Sequence, residues 1–254
     1  MRNLLLTALI CSSFFLGACS STQEKKLSKK EKAMLYVDIA NASFMEGDFI
    51  GSLGSLKKAE ELDANLPEIH HAKALSYYFK KDLNAALQSA QRAVALAPEF
   101  SDAQTTLGKI YLDLKKFNQA EKHLMIAAAD PLYRDAYKAR TNLGVLYFEQ
   151  GQYTLAKKQL DSAIQIEPMG ACVAYYYRGQ ILDKQEKHSD AIKDYTKATR
   201  QLCGNYGDAH YAIGVSYAKS KKYKEARKKF VEITELYPET DVAQKAYQQL
   251  RYIP

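Results

Sequence analysis

Tryptophan is absent from the 254 residues, and glycine (12) and proline (6) are scarce. So few turn-formers argue against a loop-rich or all-β chain, in which every strand would need its own turn. No P-loop, nucleophile elbow or HExxH pairing occurs, and there is no CxxC, so the sequence offers no phosphate cradle, no acyl-transfer nucleophile and no ready metal-ligand set. The longest apolar run, Leu4 to Leu16, is too short to span roughly 30 Å of hydrocarbon as a helix. What is abundant is alanine, leucine, lysine, glutamine and glutamate, the good helix formers, together with 19 tyrosines. An all-α chain is expected. The net charge of +7 is compatible with nucleic acid, an anionic lipid surface or an acidic protein partner.

The first 19 residues, MRNLLLTALICSSFFLGAC, place one arginine before the apolar run and small residues after it. That is the layout of an export signal. The order Leu16-Gly17-Ala18-Cys19 resembles the bacterial lipobox. The resemblance implies cleavage after residue 18, acylation of Cys19 and, with Ser20 rather than aspartate following, sorting to the periplasmic face of the outer membrane. The alternative is an ordinary signal peptide cut near Ala18, with Cys19 left as a spare thiol. Residues 19–32 are then a lysine-rich tether, either a solvated spacer or a strip lying along anionic headgroups.

The rest of the chain repeats. Gly108, Gly144, Gly179 and Gly214 align. Tyr111, Tyr147 and Tyr217 stand three places after the first, second and fourth, and Ala120, Ala156, Ala191 and Ala226 stand twelve places after each. Bulky Leu124, Leu160, Tyr195 and Phe230 follow four places later, and Pro168 and Pro238 close two units. Fainter copies carry Tyr36, Ala40, Leu56 and Ala59, then Ala74, Tyr77, Ala86, Ala93 and Pro98. This pattern resembles the tetratricopeptide repeat, a helix–turn–helix unit that cannot bury its apolar face alone and must stack. The resemblance implies a right-handed superhelix of six repeats, 33–66, 67–100, 101–136, 137–171, 172–206 and 207–240, with a capping helix and tail over 241–254.

In that family the first helix of each unit lines a concave groove. Carried over, the groove positions of the first two repeats include Met34, Val37, Asn41, Phe44, Met45, His71, Leu75, Tyr78 and Phe79. They are apolar where a solvent-filled groove should be polar, so they are expected to bind a protein partner, unless the tether or a terminal helix packs there. Asn41 matches the clamp that holds acidic C-termini in cochaperones of this family, but Val37 stands where that clamp needs lysine, so the clamp is not expected. The basic run KSKKYKEARKK of the sixth repeat reads as a solvated face ahead of an acidic partner, with nucleic acid third.

Cys172 opens the fifth repeat and Cys203 closes it. The start of one helix and the end of its antiparallel mate lie at the same end of the unit, so a disulfide is expected, stabilising by roughly 3–4 kcal/mol in the chain-entropy model. The five histidines form no ligand set. No enzyme activity, metal, cofactor or small-molecule substrate is expected. Lipobox, tether, six repeats and the cysteine pair together resemble the type IV pilus pilotins, which implies an adaptor that binds the pilus secretin and promotes its localisation and multimerisation. The alternative is a scaffold of outer-membrane barrel assembly or envelope maintenance.

Overall fold

The computed structural model describes residues 27–204 and 206–254. The signal segment, Cys19 and most of the tether lie outside them. Thirteen α-helices and one 3-10 turn make up the described residues, and no strand occurs among them. Six antiparallel pairs follow one another: α1 (Lys29–Met45) with α2 (Phe49–Leu62), α3 (Pro67–Phe79) with α4 (Leu83–Leu96), α5 (Ser101–Asp113) with α6 (Phe117–Ala129), α7 (Ala136–Glu149) with α8 (Tyr153–Ile166), α9 (Cys172–Lys184) with α10 (His188–Lys197), and α11 (Gly207–Lys219) with α12 (Tyr223–Leu236). The last helix, α13 (Asp241–Tyr252), closes the stack. Each helix packs on its own mate and on the next pair, so contacts stay local along the chain.

Every turn inside a pair is built the same way. The first helix ends with a residue in the left-handed region: Gly47, Lys81, Lys115, Gly151, Glu186 and Lys221, with φ between 58° and 81°. The next N–H reaches back five residues to close the helix, as in Asp48 to Ser43 (2.9 Å), Lys116 to Tyr111 (2.9 Å) and Lys222 to Tyr217 (2.9 Å). Only the first two second-helices are capped by a side chain, Asp48 on the Gly51 N–H and Asp82 on the Ala85 N–H.

Inside each pair a small residue of the first helix meets a large one of the second. A Cβ at Gly108 would lie 2.5 Å from Leu124, and one at Gly214 would lie 2.7 Å from Phe230. In these pairs an added Cβ would force the facing Leu124 or Phe230 side chain to move. Ala40 and Ala74 hold the same place in the first two pairs and are fully buried. The second helices press back with Ala86, Ala120, Ala156, Ala191 and Ala226, none of them exposed.

Two features depart from the sequence reading. Helix α1 begins at Lys29, inside the segment expected to be tether, because Ser28 and Glu31 form a capping box: the Ser28 side chain accepts from the Glu31 N–H (3.1 Å) and the Glu31 carboxylate accepts from the Ser28 N–H (2.7 Å). Helix α10 is also short. It stops at Lys197, and the chain continues through irregular backbone with a 3-10 turn at Gln201–Cys203. That segment brings Cys203 to the start of α9, where its sulfur is bonded to Cys172 with the Cα atoms 5.6 Å apart.

Candidate functional site

The first helices of the pairs line one side of the stack. A cavity of about 430 Å³ opens there across the second to fifth pairs. Leu75, Tyr78 and Phe79 of α3 form one end, and Val173 and Tyr177 of α9 with Tyr206 form the other. Between them lie Thr105, Thr106 and Lys109 of α5 and Tyr137, Lys138, Thr141, Asn142 and Val145 of α7. The walls are mostly apolar and aromatic, with hydroxyls and one carboxamide set among them.

The charged groups in this cavity are already paired. The Tyr78 hydroxyl donates to Asp113 (2.6 Å), and the Lys109 ammonium donates to the same carboxylate (2.5 Å) while lying 5.5 Å from the Tyr78 ring centroid. Burial opposes the charge on Lys109, but Asp113 and Tyr78 outweigh it and raise its pKa, so it stays protonated. Lys138 pairs with Asp135.

The nine groove residues expected in the first two repeats separate into groups. Leu75, Tyr78 and Phe79 do line the cavity. Phe44 stands beside them, edge-on to Phe79 at 5.2 Å, with Phe49 stacked on Phe79 at 5.6 Å. Met45 is 82 % exposed and Asn41 is exposed. His71 is pinned, 3.0 Å from the Thr106 hydroxyl and edge-on to Phe100, and burial lowers its pKa. Val37 does not line the groove. It is 3 % exposed, packed with Ala33, Ala40, Leu56 and Ile69, because α3 closes over that face of α1. Met34 packs against the same core cluster and borders, with Leu27 and Leu35, a separate surface hollow at the start of α1.

The centre of the concave face therefore lies further along the chain than the first two repeats. Tyr137, Asn142, Tyr177 and Tyr206 were not singled out by sequence reasoning. Asn142 and Tyr177 share one repeat phase, which could have drawn attention to them. Tyr206 could not have been found this way, since the irregular segment after α10 delivers it.

A second compartment of about 360 Å³ lies between α9 and α11, lined by Tyr176, Gln180, Asp183, Lys184, Asp208, Tyr211, Val215, Lys219 and Lys245. Asp183 anchors it. His188 Nδ1 and the Ser216 hydroxyl each lie 2.7 Å from its carboxylate, and the Tyr195 hydroxyl lies 3.3 Å away. Burial, then Asp183, pushes the Tyr195 hydroxyl far up. Burial also raises Tyr176, to about 12. Below this compartment the Arg178 guanidinium grips Asp194 with two bonds (2.6 and 2.7 Å) and reaches Asp161 of α8 at 2.7 Å.

The basic run of the sixth pair is partly structural. Arg227 donates to the Ile253 carbonyl (2.7 Å), which ties α12 to the chain end, and Lys229 pairs with Glu232 (2.7 Å). Among the described residues no group of three histidine, cysteine or acidic side chains could hold a metal ion. No described helix is long and apolar enough to cross a membrane.

Family models described as tetratricopeptide repeat match residues 67–100, 105–169 and 207–240. Tetratricopeptide repeat protein 21B of Mus musculus is 24% identical over 181 residues, which are 68% of this chain and 14% of that protein. The chain thus spans only about a seventh of that relative. Among solved structures, the Pseudomonas aeruginosa PilF protein superposes with a TM-score of 0.72 at 16% identity, covering 87% of this chain and 99% of its own. PilW, described as a widely conserved type IV pilus biogenesis factor, superposes at 0.74 and 18%, covering 85% and 98%. These likenesses are of fold.

Proposed function

The chain belongs to the tetratricopeptide-repeat family, and from that premise we propose that it is an outer-membrane-anchored adaptor of type IV pilus assembly. In this reading acylated Cys19 holds it at the periplasmic face, and its concave side captures the pilus secretin subunit and promotes that subunit's localisation and multimerisation. The observation that carries the proposal is the extent of the likeness to PilF and PilW. It takes in nearly all of both of those chains and more than four-fifths of this one. The lipobox-like Leu16–Cys19 adds the anchor.

The mechanism is tethered capture. The apolar walls around Leu75, Phe79 and Val145 take apolar side chains from an extended or helical partner segment, and their burial supplies the attraction. The anchor confines adaptor and partner to one membrane surface. It raises their effective concentration, so the intrinsic affinity can be modest.

The test is co-purification from detergent-solubilised outer membranes. Wild-type chain should bring down the secretin, and Leu75→Ser with Phe79→Ser should lose it while keeping the wild-type circular dichroism. Cys19→Ala should lose radiolabelled palmitate and move the chain to the soluble fraction. Recovery of a barrel-assembly subunit in place of the secretin would overturn the proposal in favour of the scaffold reading.

A further inference from the structure

The two compartments of the concave face differ in what their lysines do. In the first, Lys109 and Lys138 are neutralised by Asp113 and Asp135. In the second, the Lys184 ammonium lies over the Phe148 and Tyr153 rings, 5.9 and 5.4 Å from their centroids, and Lys245 stands across from it. Neither forms an ion pair among the described residues. Lys219 comes only within 4.0 Å of Asp183, which is already held by His188 and Ser216. One exposed carboxylate, Asp208, faces these three amines. A ridge of tyrosines divides the compartments, with the Tyr176 ring 5.4 Å from Tyr177 and 4.9 Å from Tyr206.

We propose that the captured segment is bipartite, an apolar or aromatic stretch seated between α3 and α7 and a cluster of carboxylates seated between α9 and α13. This rests on the reading that the concave face receives a protein partner, and it specifies that partner's chemistry. The spacing follows from the stack. Neighbouring first-helices sit about 9 Å apart, so α7 to α11 is ~18 Å, which an extended chain crosses in about six residues. The apolar part supplies most of the burial. The acidic part sets register and direction and makes binding sensitive to salt.

The experiment uses the full chain and fluorescein-labelled synthetic peptides read by anisotropy. One peptide carries Phe-Leu-Val, a four-residue Gly-Ser spacer and Asp-Glu-Glu. A second replaces the acids with lysines, and a third keeps only the apolar half. The acidic peptide should bind about tenfold more tightly than the basic one at low salt, with the gap closing at high salt. Lys184→Glu with Lys245→Glu changes exposed side chains only. That variant should reverse the preference and leave the apolar peptide unaffected. Equal binding of acidic and basic peptides, or no effect of the lysine variant, overturns the proposal. If secretin capture is lost with Leu75→Ser and Phe79→Ser but untouched by the lysine variant, the adaptor reading stands and this one falls. If the peptides behave as expected and no secretin is captured, the opposite holds.

Discussion

Four of the six turns inside the helix pairs place a lysine or glutamate in the left-handed region, where Cβ crowds the following carbonyl. Lys81, Glu186 and Lys221 are exposed and form no side-chain hydrogen bond or ion pair among the described residues, whereas Lys115 also pairs with Glu149. Relieving the left-handed conformation is worth roughly 1–2 kcal/mol per residue. The looser unfolded chain of a glycine returns about 0.4–1 kcal/mol of that. The net gain is about 0.5–1 kcal/mol per site. The three turns are in different repeats and share no partner, so Lys81→Gly, Glu186→Gly and Lys221→Gly together should add about 2 kcal/mol. At ~2–4 °C per kcal/mol for a domain of this size, Tm should rise by about 5 °C. Thermal melts followed by circular dichroism, with urea titrations alongside, measure this. Two controls fix the sign. Lys228→Gly, exposed in the body of α12, should instead cost about 1 kcal/mol. Gly47→Ala and Gly151→Ala should also destabilise, and since an added Cβ there meets nothing within 4 Å, that loss is purely conformational. A triple glycine variant that melts no higher than wild type, or lower, refutes the reasoning.

Two further outcomes can be checked on the same samples. Burial lowers the pKa of His71 and of His210, so the unfolded chain takes up protons that the folded one resists. Stability should therefore be full above the ordinary histidine range and fall as pH drops through about 6.5 toward the depressed folded values. Urea midpoints between pH 7.5 and 5.5 should record that fall, and His71→Gln should reduce it. At the junction of the fourth and fifth pairs, Arg178→Leu leaves Asp194, 5% exposed, without its partner, and should cost about 3–5 kcal/mol. Adding Asp194→Ala to that variant should recover most of the loss, as read from urea midpoints.

The fold was legible because stacked helix pairs impose one phase on the sequence. A glycine or alanine in the first helix and a small alanine in the second are demanded by the same close approach each time, so each repeat restates the rule. The site was harder to read. Whether a phase faces the groove or the core depends on how the next pair closes over it, and nothing local to Val37 tells that α3 will cover it. The apolar residues of the first repeat drew attention to the end of the stack. The cavity sits where four first-helices curve around one space, and curvature has no signature in any single repeat. Tyr206 reaches that space because α10 ends early, and no periodic signal records an irregular segment.

The reinforcement of this stack is uneven. The fifth pair carries the Cys172–Cys203 bond, reaches backward through Arg178 to Asp161, and reaches forward through Asp183 to Ser216. Unravelling that begins at either end should run as a zipper does, one unit at a time, until it meets this riveted tooth. The ridge of Tyr176 and Tyr206 is built on that tooth, so the partition between the two halves of the trough should outlast the fraying of the units around it.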